Sequence, residues 1–257
     1  MPLDGPPIFV FVPGAWHSPD TFEMVRAVLS QRGHESQAVA LPSVGASEPF
    51  QTGLFADIVH VHKHLRALVE QGRKIVLVMH SYGGMVGSGA VEGLSYLQGR
   101  RNHEHGGVIM AVWLSAFVTP AGKSLLEMIG GQWLPWMVLS DPDDGYCRSS
   151  DEETIFYHDL PPEVQFAAIE QLKPHSKLAF LQPASFEPWH EIPCMYLFCD
   201  DDAALPLAVQ EEFAKTLGNP LTYHVKASHS PFLSLPEETA DGLELALKVG
   251  LEKCGCR

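Results

Sequence analysis

Three widely separated parts of the chain hold the residue types that nucleophilic attack on a carbonyl group requires. Ser81 lies in the run MHSYGG, three consecutive aspartates occupy positions 200–202, and His229 lies in the run SHSPFL. A serine hydroxyl is too weakly acidic to attack a carbonyl unaided, so it needs a histidine as base and an acid that orients the histidine. Each signal alone has an ordinary structural explanation. Together, the order serine, acid, histidine predicts a catalytic triad.

The residues around Ser81 predict how its hydroxyl is exposed. Ile75 to Met79 is an unbroken apolar run, which is typical of a strand buried on both faces. The glycines that follow Ser81 let the next helix approach this strand closely. A sharp turn between the two would lift Oγ out of the sheet, beside the free N–H groups and positive field of the helix N-terminus. The alternative is an ordinary turn in which Ser81 caps the helix.

Each of the three parts comes just after a predicted strand. Apolar, β-rich runs predict strands at residues 8–12, 36–41, 75–79, 108–117, 194–199 and 221–225. Helical periodicity predicts helices at about residues 22–33, 57–71, 84–97, 161–173, 207–217 and 236–251, with a polar loop at residues 99–107. Alternating strands and helices indicate βα units, so we expect an α/β fold with a mostly parallel central sheet flanked by helices.

From about residue 121 to residue 191 this alternation stops. Aromatic and aliphatic pairs are interleaved there with glycine, proline and acidic clusters. Because open α/β sheets bind ligands at the carboxyl ends of their strands, we expect a mainly helical cap insert over that edge. The alternative is a peripheral helical layer whose aromatic side chains belong to an ordinary core. Residues 1–257 then form a single domain, with its core in residues 1–120 and 192–257.

The composition fits one globular domain and argues against several partners. The chain has 257 residues, of which 46% are hydrophobic and 19% charged, enough for a substantial core. Its formal net charge of −14 makes nucleic acid a poor partner. No leader pattern opens the chain and no apolar run has the length of a membrane span, so we expect no membrane association. Five cysteines in no recognisable framework and no N-glycosylation sequon favour a cytoplasmic location.

Four segments together resemble the α/β-hydrolase superfamily, specifically its plant methylesterase and hydroxynitrile lyase branch with many fungal relatives. The segments are VPGAWHSP at 12–19, MHSYGG at 79–84, CDDDAALP at 199–206 and SHSPFL at 228–233. The resemblance implies the α/β-hydrolase fold, with Ser81 as nucleophile and His229 as base. It places the acid at Asp202, with Asp201 as the alternative, and the oxyanion donors at the backbone N–H groups of Ala15 and Tyr82.

Two positions depart from the family pattern. Met79 stands where a glycine is usual, two residues before the nucleophile, so its side chain must point away from the tight turn. Pro13 stands where the oxyanion loop usually has histidine, and proline has no backbone N–H to donate. Neither change removes a catalytic group.

Two further positions separate hydrolysis from lyase chemistry in this branch. The lyases resemble one another in having a lysine directly after the catalytic histidine and a threonine in the oxyanion loop. This chain has Ser230 and Gly14 at those positions. We therefore expect hydrolysis of a carboxylic ester or lactone through an acyl-enzyme on Ser81. The alternatives are a C–C bond-cleaving or cyclising biosynthetic enzyme and a ligand-binding receptor.

The substrate is expected to be a small apolar or aromatic molecule, since the candidate wall residues are mostly aromatic. No organic cofactor is required, and the oligomeric state stays open, with a homodimer among the possibilities. The alternative to a pocket wall is that the aromatic residues of the insert lie in an ordinary hydrophobic core. The predicted pocket residues are Gly14, Trp16, Trp133, Trp136, Met137, Tyr157 and Leu205, with Tyr82, Phe156 and Phe180 as further candidates.

Histidine clusters suggest metal binding, but their geometry argues against it. On a helix, His60 and His64 share a face with Asp57, yet Asp57 and His64 would stand about 10 Å apart along the axis. Ligands of one metal ion must converge, so we expect a solvated face and no metal. The same holds for the loop histidines at positions 103 and 105. Residues 254–256 (CGC) predict a frayed tail, with a metal clip or a disulfide as the alternatives.

Overall fold

A parallel six-stranded sheet forms the centre of the structure, a computed structural model that describes residues 5–101 and 105–255. The strands are β1 Pro7–Val12, β2 Glu35–Ala38, β3 Lys74–Ser81, β4 Gly107–Ala116, β5 Met137–Leu139, β6 Tyr146–Ser149, β7 His175–Ser176, β8 Cys194–Cys199 and β9 Leu221–Val225. The central sheet has the order β2-β1-β3-β4-β8-β9, and all its neighbouring strands are parallel. The predicted α/β architecture is confirmed.

Helices cover both faces of this sheet. They are α1 Glu23–Gln31, α2 Leu54–Glu70, α3 Gly83–Ala90, α4 Tyr96–Arg101, α5 Leu125–Met128, α6 Glu152–Ile155, α7 Pro162–Glu170, α8 Leu178–Leu181, α9 Leu207–Thr216, α10 Pro231–Ser234 and α11 Pro236–Lys253. Short 3₁₀ turns occupy Pro19–Phe22 and Pro188–His190.

Alternate residues of β1 and β3 point into two separate core layers. Val10 and Leu77 belong to the layer that includes α2, α3 and the insert, whereas Phe11 and Val78 belong to the layer with α1 and α11. A strand covered on both faces needs apolar residues at consecutive positions, which explains its unbroken apolar sequence.

Residues 121–191, called the insert below, separate β4 from β8. They contain the short helices α5 to α8 and also an antiparallel sheet in the order β5-β6-β7. The prediction of a mainly helical segment missed this sheet, since its strands have 3, 4 and 2 residues and show no readable alternation. A bridge between Val44 and His175 joins β7 to the loop that follows β2.

Three local predictions are wrong. The helix expected at residues 84–97 ends at Ala90, because Gly93 adopts a left-handed conformation (φ 73°) and Ser95 pairs with Val108 beside the sheet. A new helix, α4, then extends into the predicted loop at 99–107, whose residues 102–104 lie outside the described ranges.

Cys254 is not part of a frayed tail: it is buried in the core layer formed with α11. Cys256 lies outside the described residues.

Within residues 5–101 and 105–255, no helix combines the length and the apolar character needed to cross a membrane.

Candidate active site

Ser81 occupies a strained turn between strand and helix. It is the last residue of β3 and has a left-handed backbone conformation (φ 53°), which is uncommon for a residue other than glycine. Helix α3 begins two residues later, and close packing makes glycine necessary there. A Cβ on Gly83 would lie 2.5 Å from the carbonyl oxygen of Val12, and one on Gly84 would lie 2.3 Å from that of Phe117. The turn has the features of a nucleophile elbow.

Met79 fits beside this turn because Gly87, one helical turn after Gly83, leaves space for its side chain. A Cβ on Gly87 would lie 2.4 Å from the Met79 sulfur, so the methionine side chain occupies the space that a larger residue at position 87 would fill. The side chain points from β3 into the groove against α3, as expected, and is fully buried. The departure from glycine is compensated inside the core and leaves the turn intact.

His229 is held by a buried carboxylate. Its Nδ1 lies 2.6 Å from Oδ2 of Asp202, and neither side chain is more than 3% exposed. The other oxygen of Asp202, Oδ1, accepts the backbone N–H groups of Ala204 and Leu205, each at 2.8 Å. With Nδ1 occupied in this way, Nε2 is the nitrogen that can face a substrate.

The neighbouring aspartates have other contacts. Asp200 pairs with His224 at 2.7 Å, and Asp201 is exposed, with its backbone carbonyl accepting a hydrogen bond from His158. Of the three aspartates that the sequence left open, Asp202 is therefore the one whose carboxylate contacts His229.

His80, directly before Ser81, fixes the main chain of His229. Its Nε2–H donates to the His229 carbonyl oxygen at 2.9 Å, and the two rings lie 4.5 Å apart. Complete burial holds the pKa of His80 well below its usual value, so the ring stays neutral. The elbow and the histidine loop are thus joined through one side chain.

The loop after β1 approaches Ser81 from the opposite side. A Cβ on Gly14 would lie 2.9 Å from Nδ1 of His80 and 3.0 Å from Cβ of Ser81, so only glycine fits here without a shift. Trp16 has a left-handed conformation (φ 66°), and its Nε1–H donates to the Cys147 carbonyl of the insert at 2.9 Å. Ala15, between them, lines the pocket at Ser81.

His17 completes the support of this loop and was not singled out from the sequence. Its Nδ1–H donates to the Ala15 carbonyl at 2.7 Å, and its Nε2 then accepts the Tyr157 hydroxyl at 2.8 Å. Burial lowers the pKa of His17 to about 4. The ring is therefore neutral near pH 7, as this pair of hydrogen bonds requires.

A second group of buried polar side chains lies behind Tyr82. We call Ser43, Asp57, Tyr82 and His175 the Asp57 cluster. Oδ2 of Asp57 accepts the Ser43 hydroxyl at 2.5 Å and the Tyr82 hydroxyl at 2.7 Å, and Oδ1 accepts the Ser43 backbone N–H at 2.9 Å. Nε2 of His175 lies 2.6 Å from the Ser43 Oγ. Asp57 thus faces the protein interior rather than the histidines of its own helix.

The pocket above Ser81 is mostly apolar. Its volume is about 510 Å³, including the space open to solvent, and none of the described residues that line it is a lysine, arginine, aspartate or glutamate. Ser81 and His229 lie in the same wall. The lining residues are Ala15, Trp16, His17, Ser81, Tyr82, Phe117, Leu125, Ile129, Leu134, Trp136, Met137, Phe156, Phe180, Ala204, Leu205 and His229.

Three predicted pocket residues are not among those that line this pocket. Gly14 packs beneath Ser81 and His80, Trp133 contacts the ring of Phe180 edge-on, and Tyr157 is fully buried behind His17. The other predicted positions, Trp16, Tyr82, Trp136, Met137, Phe156, Phe180 and Leu205, do line the pocket. The aliphatic residues of α5 and its surroundings were missed, since nothing in their sequence separates them from core residues.

In the part of the chain that the structure describes, no three histidine, cysteine or acidic side chains are grouped so that they could hold a metal ion. His62 instead lies 2.8 Å from the Ala90 carbonyl oxygen. His103 lies outside the described residues.

Known proteins share this architecture. A family model described as "Alpha/beta hydrolase family" matches residues 9–242. Alpha/beta hydrolase nvfD of Aspergillus novofumigatus is 32% identical over 238 residues, covering 90% of this chain and 92% of nvfD. A pyrethroid hydrolase structure from Sphingobium faniae gives a TM-score of 0.76 at 21% identity, covering 96% of this chain and 100% of the other. The methylesterase MES16 from Arabidopsis gives 0.74 at 20% identity, covering 95% and 99%.

Proposed function

This chain belongs to the alpha/beta hydrolase family, and within it we propose a serine hydrolase that cleaves a carboxylic ester or lactone of a small apolar or aromatic molecule. In this proposal Ser81 is the nucleophile, His229 the general base and Asp202 the acid that orients His229. The relatives that bear hydrolase and esterase names support the reaction class.

The observation that carries the proposal is the strained turn at Ser81 in the wall of an apolar pocket. A left-handed serine costs free energy, and such residues persist mainly where function requires them. His229 lies in the same wall, with Nδ1 held by Asp202. A serine exposed in this way, beside a histidine whose second nitrogen is free to act as base, is suited to attack a carbonyl carbon.

Acylation follows from these positions. Nε2 of His229 takes the Ser81 proton as Oγ attacks, and the carboxylate of Asp202 stabilises the imidazolium that forms. The backbone N–H groups of Ala15 and Tyr82 donate to the oxyanion of the tetrahedral intermediate. The alcohol then leaves with the proton from His229, which forms the acyl-enzyme.

Deacylation repeats these steps with water. His229 removes a proton from the water molecule that attacks the acyl carbonyl, and the same two N–H groups stabilise the second oxyanion. Ser81 recovers its proton as the acid leaves. No step requires a metal ion or an organic cofactor.

The wall of the pocket supports an uncharged substrate. Its aromatic rings and aliphatic side chains favour apolar groups, and the described lining residues include no lysine or arginine to balance a carboxylate or phosphate. An ester or lactone of an aromatic or other compact apolar acid fits these properties.

Hydrolysis is favoured over lyase chemistry by two neighbours of the triad. Ser230 is fully buried after His229, so no charged group stands there. A side chain at position 14 would meet His80 and Ser81. Because this position is a glycine, the approach to the nucleophile stays open. A site without a cationic partner for a leaving carbanion or cyanide lacks the electrostatic stabilisation that C–C cleavage needs.

A set of chromogenic esters tests the proposal. We expect p-nitrophenyl esters of apolar and aromatic acids to be hydrolysed with a higher kcat/KM than a matched ester that carries a free carboxylate. Turnover should be abolished in Ser81→Ala and kept in the control Asp201→Asn, whose side chain is exposed. The absence of turnover for all esters by the wild-type protein would refute the proposed hydrolysis.

A further inference from the structure

Ser115 occupies an irregular position beside the nucleophile. In the pairing of β3 with β4, His80 lies opposite Leu114 and Ser81 lies opposite Ala116, so Ser115 is the extra residue of a β-bulge. Its backbone is left-handed (φ 39°), a conformation that costs a non-glycine residue free energy. It is also completely buried. Glycine would adopt a positive φ without the steric strain that a Cβ brings, although it loses more conformational entropy on folding.

The hydroxyl of Ser115 donates to Oδ2 of Asp202. This is the same oxygen that contacts Nδ1 of His229 at 2.6 Å. The loop of Asp202 supplies its own N–H groups to Oδ1 only, from Ala204 and Leu205. Among the hydrogen bonds of the described residues, Oδ2 therefore has two partners from outside the loop, Nδ1 of His229 and the Ser115 hydroxyl.

The bulge also ties this contact to the nucleophile. Ser81 pairs with Ala116, the residue after Ser115, and the Phe117 N–H donates to the Ser81 carbonyl at 3.1 Å. The strand segment that carries the Ser115 hydroxyl is thus hydrogen-bonded to the turn that exposes Ser81. One short segment sets the relative positions of the acid and the nucleophile.

We propose that Ser115 is a positioning residue, whose hydroxyl holds the Asp202 carboxylate in the orientation that lets Oδ2 bind His229. The proposal rests on the hydrolase function proposed above. Ser115 acts through Asp202 and does not contact the substrate, because it is absent from the pocket wall. A charge-assisted hydrogen bond to a buried carboxylate is among the stronger ones, so its loss should be measurable.

Two variants separate the hydroxyl from the backbone conformation. Ser115→Ala loses the hydroxyl and keeps the strained backbone, whereas Ser115→Gly loses the hydroxyl and relieves the strain. We expect both to lower kcat by about tenfold to a hundredfold with little change in KM. Ser88→Ala is the matched control, since Ser88 is equally buried and its Oγ has no hydrogen-bond partner among the described residues.

The pH profile provides a readout that a merely structural role would not change. Without the Ser115 hydroxyl, Oδ2 of Asp202 keeps only Nδ1 of His229 as a hydrogen-bond partner among the described residues, which favours the protonated ring. The acidic limb of the kcat/KM profile, where activity falls as the pH drops, should therefore move to higher pH in Ser115→Ala and Ser115→Gly. It should stay in place in Ser88→Ala. Wild-type kcat in Ser115→Gly, or an unmoved acidic limb in both variants, would overturn the proposal.

Proton NMR keeps this test independent of ester turnover. The Nδ1–H of a histidine bound to a carboxylate gives a strongly downfield resonance, identified here by its loss in Asp202→Asn. We expect it to move or broaden in Ser115→Ala and Ser115→Gly, and to stay unchanged in Ser88→Ala. An unchanged resonance in both Ser115 variants refutes the positioning role even if no ester is hydrolysed, whereas failure of ester hydrolysis with a shifted resonance refutes the proposed function alone.

Discussion

Two buried clusters in this molecule contain the same three residue types in different arrangements. In the Ser81 cluster (Ser81, Asp202 and His229), the carboxylate contacts the histidine and the serine lies in the pocket wall. In the Asp57 cluster, the carboxylate contacts the serine, and the histidine is the outer member. The order of contacts, rather than the presence of the residues, decides which cluster can do chemistry.

The Ser43 hydroxyl has no histidine available as a base. It has one proton, which it donates to Asp57, so its oxygen accepts the N–H of His175. His175 is fully buried, which lowers its pKa to about 3 and keeps it neutral. Burial raises the pKa of Asp57 to about 6. Ser43, itself fully buried, cannot be reached by a substrate.

The Asp57 cluster instead joins three parts of the fold. Asp57 lies on α2, Tyr82 directly follows Ser81, and His175 belongs to β7 of the insert. Two backbone hydrogen bonds also join the insert to the loop after β2. The Ser176 N–H donates to the Ser43 carbonyl at 2.9 Å, and the Gly45 N–H donates to the Pro174 carbonyl at 2.7 Å. We infer that this cluster holds the insert against the core.

Removal of the two serine hydroxyls should produce the largest contrast. Ser81→Ala should lower kcat by about 10⁴-fold or more, since the nucleophile is gone. Ser43→Ala should keep kcat within about tenfold and lower the free energy of unfolding by about 1–3 kcal/mol, because buried hydrogen bonds are lost. Initial rates and urea unfolding measure both quantities. A loss of turnover in Ser43→Ala as large as in Ser81→Ala would contradict the division of roles.

The two carboxylates should differ almost as much. Asp202→Asn should lower kcat by about 10³-fold to 10⁴-fold, because an amide favours the wrong tautomer of His229. Asp57→Asn should keep kcat within about tenfold and lower the unfolding free energy by about 1–3 kcal/mol. Steady-state kinetics on both variants decides the point, with Asp201→Asn as the control. A larger loss in Asp201→Asn than in Asp202→Asn would reassign the acid.

Tyr82 belongs to both regions and sharpens the comparison. Tyr82→Phe removes the hydroxyl bound to Asp57 and keeps the backbone N–H that we assign to the oxyanion. We expect the unfolding free energy to fall by about 1–2 kcal/mol and kcat to stay within about fivefold. Thermal or urea unfolding and initial rates measure these changes. If kcat falls far more than stability, the Asp57 cluster also sets the oxyanion geometry.

The smallest effects concern the dependence of stability on pH. The pKa of His175 is about 3 in the folded protein and 6.5 in the reference state, so the unfolded chain binds more protons between these values. Its contribution therefore makes the unfolding free energy fall as the pH drops below about 6.5. Asp57 acts in the opposite direction between pH 3.8 and about 6, where the folded protein binds the extra proton.

Substitution of His175 and substitution of Asp57 should change the slope of the unfolding free energy against pH in opposite senses. His175→Asn should make the unfolding free energy less dependent on pH between about 4 and 6.5. The slope should fall by the equivalent of up to about one proton bound on unfolding. Asp57→Asn should make the loss of stability on acidification steeper. Urea unfolding across this pH range measures the slopes. Equal slopes in the wild type and both variants would show that these groups do not titrate as burial requires.

Much of the fold was predictable because its signals are local. The central strands are apolar runs closed by turn residues, and the elbow at Ser81 combines such a run with glycines that close packing requires. The segment around Asp202 resembles a family motif. The strands of the insert were not predictable, since they have 2 to 4 residues and pair only with one another and with the loop after β2.

The supporting contacts of the site had no sequence signal. Ser115 meets Asp202 across 87 positions and Ser43 meets His175 across 132, so no spacing rule connects them. Asp57 looked like part of an exposed histidine face and is turned into the core instead. Tyr157 was expected in the pocket wall but lies behind His17, because a buried hydroxyl needs a hydrogen-bond partner and His17 provides one.

The central claim is that the serine at the strained turn, and not its buried counterpart, becomes acylated. Mass spectrometry after treatment with a fluorophosphonate tests it directly. We expect a single adduct, mapped to the peptide with Ser81, to form rapidly in the wild type and in Ser43→Ala and to be absent in Ser81→Ala. An adduct on Ser43, or no adduct on the wild-type protein, would contradict the account.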